Sequence, residues 1–121
     1  MTKGKSDKIT IYQKPTCTTC RTVFRLLREA GVDVESVNYY IDPIPKKKLK
    51  ELIRKTGLRS HDFLRTKEPV YKELQLGEKN LPEDELLNLL IRYPDLLQRP
   101  IVEKGTRAIL ARPAERLREI L

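Results

Sequence analysis

The pattern of apolar and polar positions in the first forty residues changes from strand-like to helical and back. Residues 8–12 alternate weakly and are rich in β-branched side chains, which predicts a first strand. Residues 18–30 carry apolar side chains at the spacing of one helix face, and Gly31 is placed to end that helix. Residues 32–40 predict a second strand. A strand, a helix and a strand of these lengths predict a right-handed unit with parallel strands.

The middle of the chain shows only helical patterns. Four segments are predicted to be helical or turn-like: residues 45–57, 61–65, 68–74 and 83–92. Pro82 suits a first-turn position of the last helix, and the acidic residues after it suit the positive end of a helix dipole. These segments form a predicted all-helical insertion over about residues 41–98.

The last third returns to strands. Residues 100–103 and 108–111 predict a hairpin around Gly105, and residues 114–121 predict a final helix. The inward-facing side chains of that helix are expected to be Leu117, Ile120 and Leu121.

The element order is β-α-β, helical insertion, β-β-α, which is the order of a thioredoxin-like fold of the α/β class with a central all-helical insertion. At 121 residues the chain is expected to form a single domain, residues 1–121, without independently folding parts. Residues 1–7 are polar and are expected to be disordered.

Composition narrows the class of protein. Hydrophobic residues make up 39% of the chain and charged residues 35%, which indicates a folded, soluble protein. We expect a cytoplasmic location and no membrane association, because there is no long apolar run and no signal-peptide pattern. The net charge of +8 leaves two alternatives: a basic surface that attracts nucleic acid, acidic proteins or small oxyanions, and a solvated surface that serves solubility. The lysines at residues 46–48 and 50 have no interleaved aromatic residues, which favours a solvated surface.

The two cysteines, Cys17 and Cys20, lie three residues apart where the first strand gives way to the first helix. A Cys-x-x-Cys in this context indicates a thioredoxin-like redox site. A helix N-terminus lowers the pKa of a thiol, so Cys17 is expected to be a reactive thiolate, with Lys14 and Arg21 adding positive charge. The alternatives are two packed thiols or half of a zinc site. Zinc usually needs four ligands, and the chain offers two cysteines and one histidine.

Four arginines flank turns or the ends of predicted elements: Arg21, Arg65, Arg99 and Arg112. The planar guanidinium donates two hydrogen bonds at once and therefore suits a tetrahedral oxyanion. A thiolate with several arginines fits nucleophilic attack on an oxyanion, although a surface charge is the usual role of an arginine.

Five motifs resemble those of one enzyme family: Ile-Tyr-x-x-Pro-x-Cys at residues 11–17, Phe-Leu-Arg at 63–65, Glu-Pro-x-Tyr-x-Glu-Leu-x-Leu at 68–76, Tyr-Pro-x-Leu-Leu-x-Arg-Pro-Ile-Val at 93–102, and Ala-Arg-Pro at 111–113. Over about residues 9–121 the chain resembles the glutaredoxin-linked arsenate reductases of the ArsC/Spx superfamily. That resemblance implies arsenic resistance as the biological role.

The resemblance also implies roles for individual residues. Cys17 matches the nucleophile that forms a covalent adduct with arsenate, and Arg65, Arg99 and Arg112 match the arginines that hold the oxyanion. Pro100 matches a proline that is cis in thioredoxin-like folds. The resemblance implies no metal and no bound cofactor, and glutathione, glutaredoxin or thioredoxin would supply the electrons. The protein is expected to be a monomer.

Two positions depart from the family pattern. Well-studied reductases of this type have a histidine where this chain has Gln13, and a residue other than cysteine where it has Cys20. A second thiol is typical of the Spx regulators, although these do not keep the arginine at position 112. Two alternatives therefore stay open: a redox-sensing regulator that binds RNA polymerase, and a glutathione-dependent reductase of another substrate. The single histidine, His61, is expected on the surface.

Overall fold

The computed structural model describes residues 8–121, and the predicted disorder of residues 1–7 lies outside them. Four strands form one mixed sheet: β1 (Ile9–Gln13), β2 (Val34–Asn38), β3 (Ile101–Lys104) and β4 (Arg107–Leu110). Their order is β2-β1-β3-β4. β1 is parallel to β2, while β3 is antiparallel to both β1 and β4.

The helices follow the predicted segments closely. The α-helices are α1 (Thr18–Glu29), α2 (Lys46–Thr56), α3 (Pro69–Glu73) and α4 (Glu83–Arg92). Short 3₁₀ turns occupy Ser60–Phe63, Leu76–Glu78, Pro94–Leu96 and Ala114–Glu119. No helix within the described residues is long and apolar enough to cross a membrane.

The described residues form two compact units. One, here called the sheet unit, comprises residues 8–42 and 99–121, and it contains the sheet, α1 and the last 3₁₀ turn. The other, the helical unit, comprises residues 43–98 and contains α2, α3 and α4. The helical unit therefore corresponds to the predicted insertion, within two residues of its expected start.

Alternation in β1 and helical periodicity in α1 build the core of the sheet unit. Ile9 and Ile11 of β1 are fully buried, and so are Val23 and Leu27 of α1. They pack with buried side chains of the hairpin and the C-terminal segment: Val102, Ile109, Ala111, Leu117 and Ile120. Since strand side chains alternate between faces and helix side chains recur every three to four residues, these positions are the ones the pattern predicts.

The helical unit has its own buried side chains. α2 buries Leu49, Leu52 and Ile53, and α4 buries Leu86, Leu87 and Leu90. α2 ends at Gly57, whose φ of +76° lies in the left-handed region that favours glycine.

The C-terminal segment differs from the prediction of a final helix. Ala114–Glu119 is a 3₁₀ turn, and Leu121 is 52% exposed rather than facing inward. A segment of six residues gains little from α-helical propagation, so the tighter 3₁₀ pattern is favoured there. Leu117 and Ile120 are buried as predicted. Pro82 is the N-cap residue of α4 and not part of its first turn.

Candidate active site

The Cys-x-x-Cys motif lies where β1 leads into α1. Cys17 is the N-cap residue of α1, with an extended backbone (φ −81°, ψ 127°), and its N–H donates to the Lys14 carbonyl at 2.9 Å. Cys17 is half-buried, whereas Cys20, one turn into the helix, is fully buried. Both thiols are free. The backbone N–H of Cys20, in the first helical turn, donates to the Cys17 sulfur, so the thiol lies at the helix N-terminus as the sequence predicts.

Arg99 comes close to Cys17 because of the register between β1 and β3. Tyr12 pairs with Ile101, so the two residues before Ile101 run alongside the end of β1. The Arg99 side chain is only 5% exposed and is hydrogen-bonded to the Cys17 thiol. A buried guanidinium beside a sulfur favours the thiolate form.

The pKa of Cys17 is lowered from 9.0 to about 7. Burial alone would raise it, but hydrogen bonds from the backbone N–H and side chain of Cys20, together with the bond and charge of Arg99, outweigh that effect. Arg99, rather than the expected Lys14 or Arg21, is thus the cation next to the sulfur. The Lys14 ammonium lies over the ring of Tyr40, 5.0 Å from its centroid.

Cys20 behaves in the opposite way. Its pKa is raised from 9.0 to about 12, chiefly by burial and also by the nearby Cys17 thiolate, which together outweigh the lowering effect of the Lys14 N–H and Arg99. Cys20 therefore stays protonated at neutral pH and donates to the Cys17 sulfur. This arrangement favours Cys17 as the nucleophile. Cys20 remains a buried, protonated thiol next to it.

Arg112 follows β4 and contacts Arg99, which precedes β3, at the open end of the hairpin. Its Nη1 donates to the Arg99 carbonyl at 3.0 Å, and the N–H of Ala111 donates to the Pro100 carbonyl at 3.0 Å. The Arg99–Pro100 and Arg112–Pro113 peptide bonds are both cis. The sheet unit thus brings together Cys17, Cys20, Arg99 and Arg112.

Comparison with known proteins identifies the family. Residues 12–120 match the profile of the ArsC family. The chain belongs to the ArsC family.

Relatives of known name or structure cover nearly the whole chain. An arsenate reductase of Neisseria meningitidis is 37% identical over 94% of this chain and 98% of its own length. The Escherichia coli protein YfgD, described as uncharacterized, is 36% identical over 96% of this chain and 98% of its own. The structure of an arsenate reductase from Vibrio cholerae has a TM-score of 0.89 at 34% identity, covering 94% of this chain and 98% of that one. The chain shares the thioredoxin-like α/β fold of this ArsC group.

Two further arginines were named from the sequence, Arg65 and Arg21. Arg65, which the ArsC resemblance assigns to the oxyanion, belongs to the helical unit. There its Nε bonds to Glu68 at 3.2 Å and its Nη1 to Gln98 at 3.4 Å. Arg21 is exposed on α1, and His61 is exposed as expected.

Gln13, where well-studied ArsC reductases have a histidine, is 5% exposed at the end of β1. Its Nε2 donates to the Ser36 hydroxyl of β2 at 2.6 Å, and its Oε1 has no hydrogen-bond partner among the described residues. The amide therefore links the two parallel strands. Among residues 8–121, no group of three or more His, Cys, Asp and Glu side chains is arranged to hold a metal ion.

The sequence analysis did not predict that Tyr39 and Tyr40 belong to the site. Arg99 Nη1 donates to the Tyr40 hydroxyl at 3.3 Å, and Tyr39 also hydrogen-bonds to Arg99. Their position in the sequence could have indicated it, because both residues directly follow β2, which is parallel to β1. The carboxyl ends of parallel strands meet at one edge of a sheet, so these tyrosines fall next to the motif that follows β1.

Proposed function

We propose that the protein is an arsenate reductase in which Cys17 is the nucleophile. The observation that carries this proposal is the contact between the Cys17 sulfur, with its pKa of about 7, and the buried guanidinium of Arg99. A thiolate available at neutral pH is required for attack on arsenic, and a buried arginine favours the approach of a second anion to that thiolate.

The reaction balances with thiols alone. The Cys17 thiolate attacks the arsenic of arsenate, a sulfur–arsenic bond forms, and one arsenate oxygen leaves as water after protonation. A second thiol then attacks the Cys17 sulfur. The sulfur–arsenic bond breaks with its electron pair on arsenic, so arsenic(V) becomes arsenite and the two sulfurs become a disulfide. Further thiols reduce that disulfide and return Cys17.

Arginine residues are proposed to hold the oxyanion during this reaction. Arg99 and Arg112 are supported by their positions in the sheet unit, since the Arg112 guanidinium donates to the Arg99 backbone. Arg65 is proposed on the resemblance to the ArsC reductases. The fork of an arginine can donate two parallel hydrogen bonds to neighbouring arsenate oxygens and spread the developing charge.

The electrons are proposed to come from glutathione, glutaredoxin or thioredoxin, and the protein is proposed to work in the cytoplasm. Both thiols and all three proposed arginines belong to the same chain, so a monomer suffices for this chemistry.

Arsenite release by the purified chain tests the proposal. With arsenate, glutathione and glutaredoxin, the wild type is expected to turn over, whereas Cys17→Ser forms no arsenite. Arg65→Ala, Arg99→Ala and Arg112→Ala are each expected to lower kcat/KM roughly ten- to a hundredfold, because a charge-assisted hydrogen bond contributes about 1.5–3 kcal/mol. Lysine at these positions should not restore full activity, since it lacks the bidentate fork.

Arg21→Ala is the matched control, because Arg21 is exposed on α1 and should not affect turnover. A wild type that releases no arsenite with any of the three donors would refute the reductase. Turnover at wild-type rates by all three arginine variants would refute the oxyanion role of these side chains.

A further inference from the structure

The guanidinium of Arg99 is held by two consecutive tyrosines. Tyr40 is half-buried, and its hydroxyl accepts a hydrogen bond from Arg99 Nη1 at 3.3 Å. Tyr39 is 4% exposed and hydrogen-bonds to the same guanidinium. The two rings lie 5.2 Å apart between centroids and are tilted by 32°. Arg99 is thus hydrogen-bonded both to the two phenol groups and to the Cys17 sulfur.

This contact matters because an arginine side chain is long and has many rotamers. Free, it carries about 2 kcal/mol of rotamer entropy, and fixing one orientation therefore needs several contacts. The Arg99 backbone is already fixed by the bond from Arg112 to its carbonyl. The remaining freedom lies in the side chain, and the tyrosines restrict that freedom.

We propose that Tyr40 is a positioning residue of this site: its hydroxyl holds the Arg99 guanidinium in the orientation that faces the Cys17 sulfur and receives the oxyanion. Tyr40 touches neither the reacting sulfur nor the substrate in this role; it acts through Arg99. The oxyanion half of the inference rests on the proposed function, whereas the half concerning the thiol stands without it.

Tyr40 can be tested with a small change. Tyr40→Phe removes the hydroxyl and keeps the ring, which packs against Tyr39 and lies beneath the Lys14 ammonium. Since Tyr40 is only half-buried, the variant is expected to fold, and its thermal melting should match the wild type. Tyr39 is less suitable because its ring is buried.

The first measurement is the rate of Cys17 alkylation against pH in the Cys20→Ser background, without arsenate. With Tyr40 in place, the midpoint of Cys17 alkylation is expected at about pH 7. With Tyr40→Phe it should move toward 9.0, the ordinary value, because a loosened Arg99 stabilises the thiolate less. A rise of about one unit would lower the thiolate fraction at neutral pH roughly fivefold.

The second measurement is arsenate turnover by Tyr40→Phe with Cys20 intact. KM for arsenate should rise and kcat/KM should fall several-fold at neutral pH. Part of that loss should be recovered as the pH approaches 9, where the thiolate forms without help. A purely structural effect would lower activity equally at every pH.

Two controls separate this inference from simpler ones. Tyr93→Phe removes a hydroxyl from a half-buried tyrosine in the helical unit, also beside an arginine, Arg92, and should leave both measurements unchanged. In the Arg99→Met background, Tyr40→Phe should cause no further shift, because its effect passes through Arg99.

An unshifted alkylation profile in Tyr40→Phe would overturn the inference, and so would an undiminished shift in the Arg99→Met background. If the profile shifts as expected while the wild type reduces no arsenate, the positioning of Arg99 by Tyr40 is supported and the proposed substrate is refuted. The two failures are therefore distinguishable.

Discussion

Two thiols three residues apart have opposite acidities, and their positions at the start of α1 explain the difference. Cys17 precedes the helix, is half-buried, and faces the N–H of Cys20 and the guanidinium of Arg99. Cys20 lies inside the first turn and is fully buried. The same desolvation that would raise both pKa values is overcome only at Cys17, because only that sulfur collects enough hydrogen bonds and charge.

Single-cysteine variants should reveal this difference. In Cys20→Ser, alkylation of Cys17 is expected to follow a midpoint of about 7, whereas in Cys17→Ser the remaining thiol should react little between about pH 6 and 9. Cys20→Ala should raise the Cys17 midpoint relative to Cys20→Ser, because alanine cannot donate to the sulfur. A Cys17 that titrates near 9.0, like an ordinary thiol, would contradict this picture.

At this scale the sequence reveals the reactive atoms better than their surroundings. The spacing of the cysteines and the position before a helix predict Cys17 without any structure. The cation beside it is a different matter, because Lys14 and Arg21 are near in sequence while Arg99 is near in space. Strand pairing, which local patterns do not specify, brings Arg99 to the sulfur.

Among the secondary-structure elements, the helices were predicted reliably where the apolar residues have a strong helical periodicity and where a glycine or proline marks the end of the helix. α1, α2 and α4 each have a clear apolar face, and their ends fall at the predicted residues to within two positions. The prediction of an α-helix was wrong for the last segment, Ala114–Glu119. Its few apolar residues fit a 3₁₀ turn as well as an α-helix, and the segment is too short for the α-helical pattern to be favoured.

The end of α2 offers a test of local backbone strain. Gly57 has a φ of +76°, and a Cβ added there would meet no atom within 4 Å. Gly57→Ala should therefore destabilise the protein by about 1–2 kcal/mol through the left-handed backbone alone. Gly57→Asn should cost less, since asparagine tolerates that region better. Chemical denaturation measures both, and equal costs for the two variants would contradict the backbone explanation.

For the whole molecule, the order of elements was enough to predict a thioredoxin-like α/β fold with a helical insertion. A right-handed β-α-β unit and a hairpin leave few ways to build one sheet. The position of the hairpin next to β1 instead of β2 did not follow from local patterns. It agrees with the burial of the two strands, because Ile9 and Ile11 of β1 have no exposed surface, as in a central strand, whereas every residue of β2 is at least partly exposed, as in an edge strand.

The choice of electron donor is also a property of the whole protein. Cys20→Ser is expected to keep arsenate turnover with glutathione and glutaredoxin and to lose it with thioredoxin, which must attack a Cys17–Cys20 disulfide. Mass spectrometry of the oxidised wild type should find that disulfide.

Two free thiols after oxidation would remove the resolving role of Cys20. A wild type that reduces no arsenate, but binds RNA polymerase only when oxidised, would instead support the regulator.

The burial of Cys20 has a practical consequence. At neutral pH the natural chain presents a single reactive sulfur to a bulky maleimide dye, so one fluorophore per molecule can be attached without engineering a cysteine. That dye would stand at the start of α1, within reach of Arg99. Its fluorescence emission would then report the approach of an electron-donor protein to the edge of the sheet. Binding of such a donor could therefore be measured without any change to the amino-acid sequence.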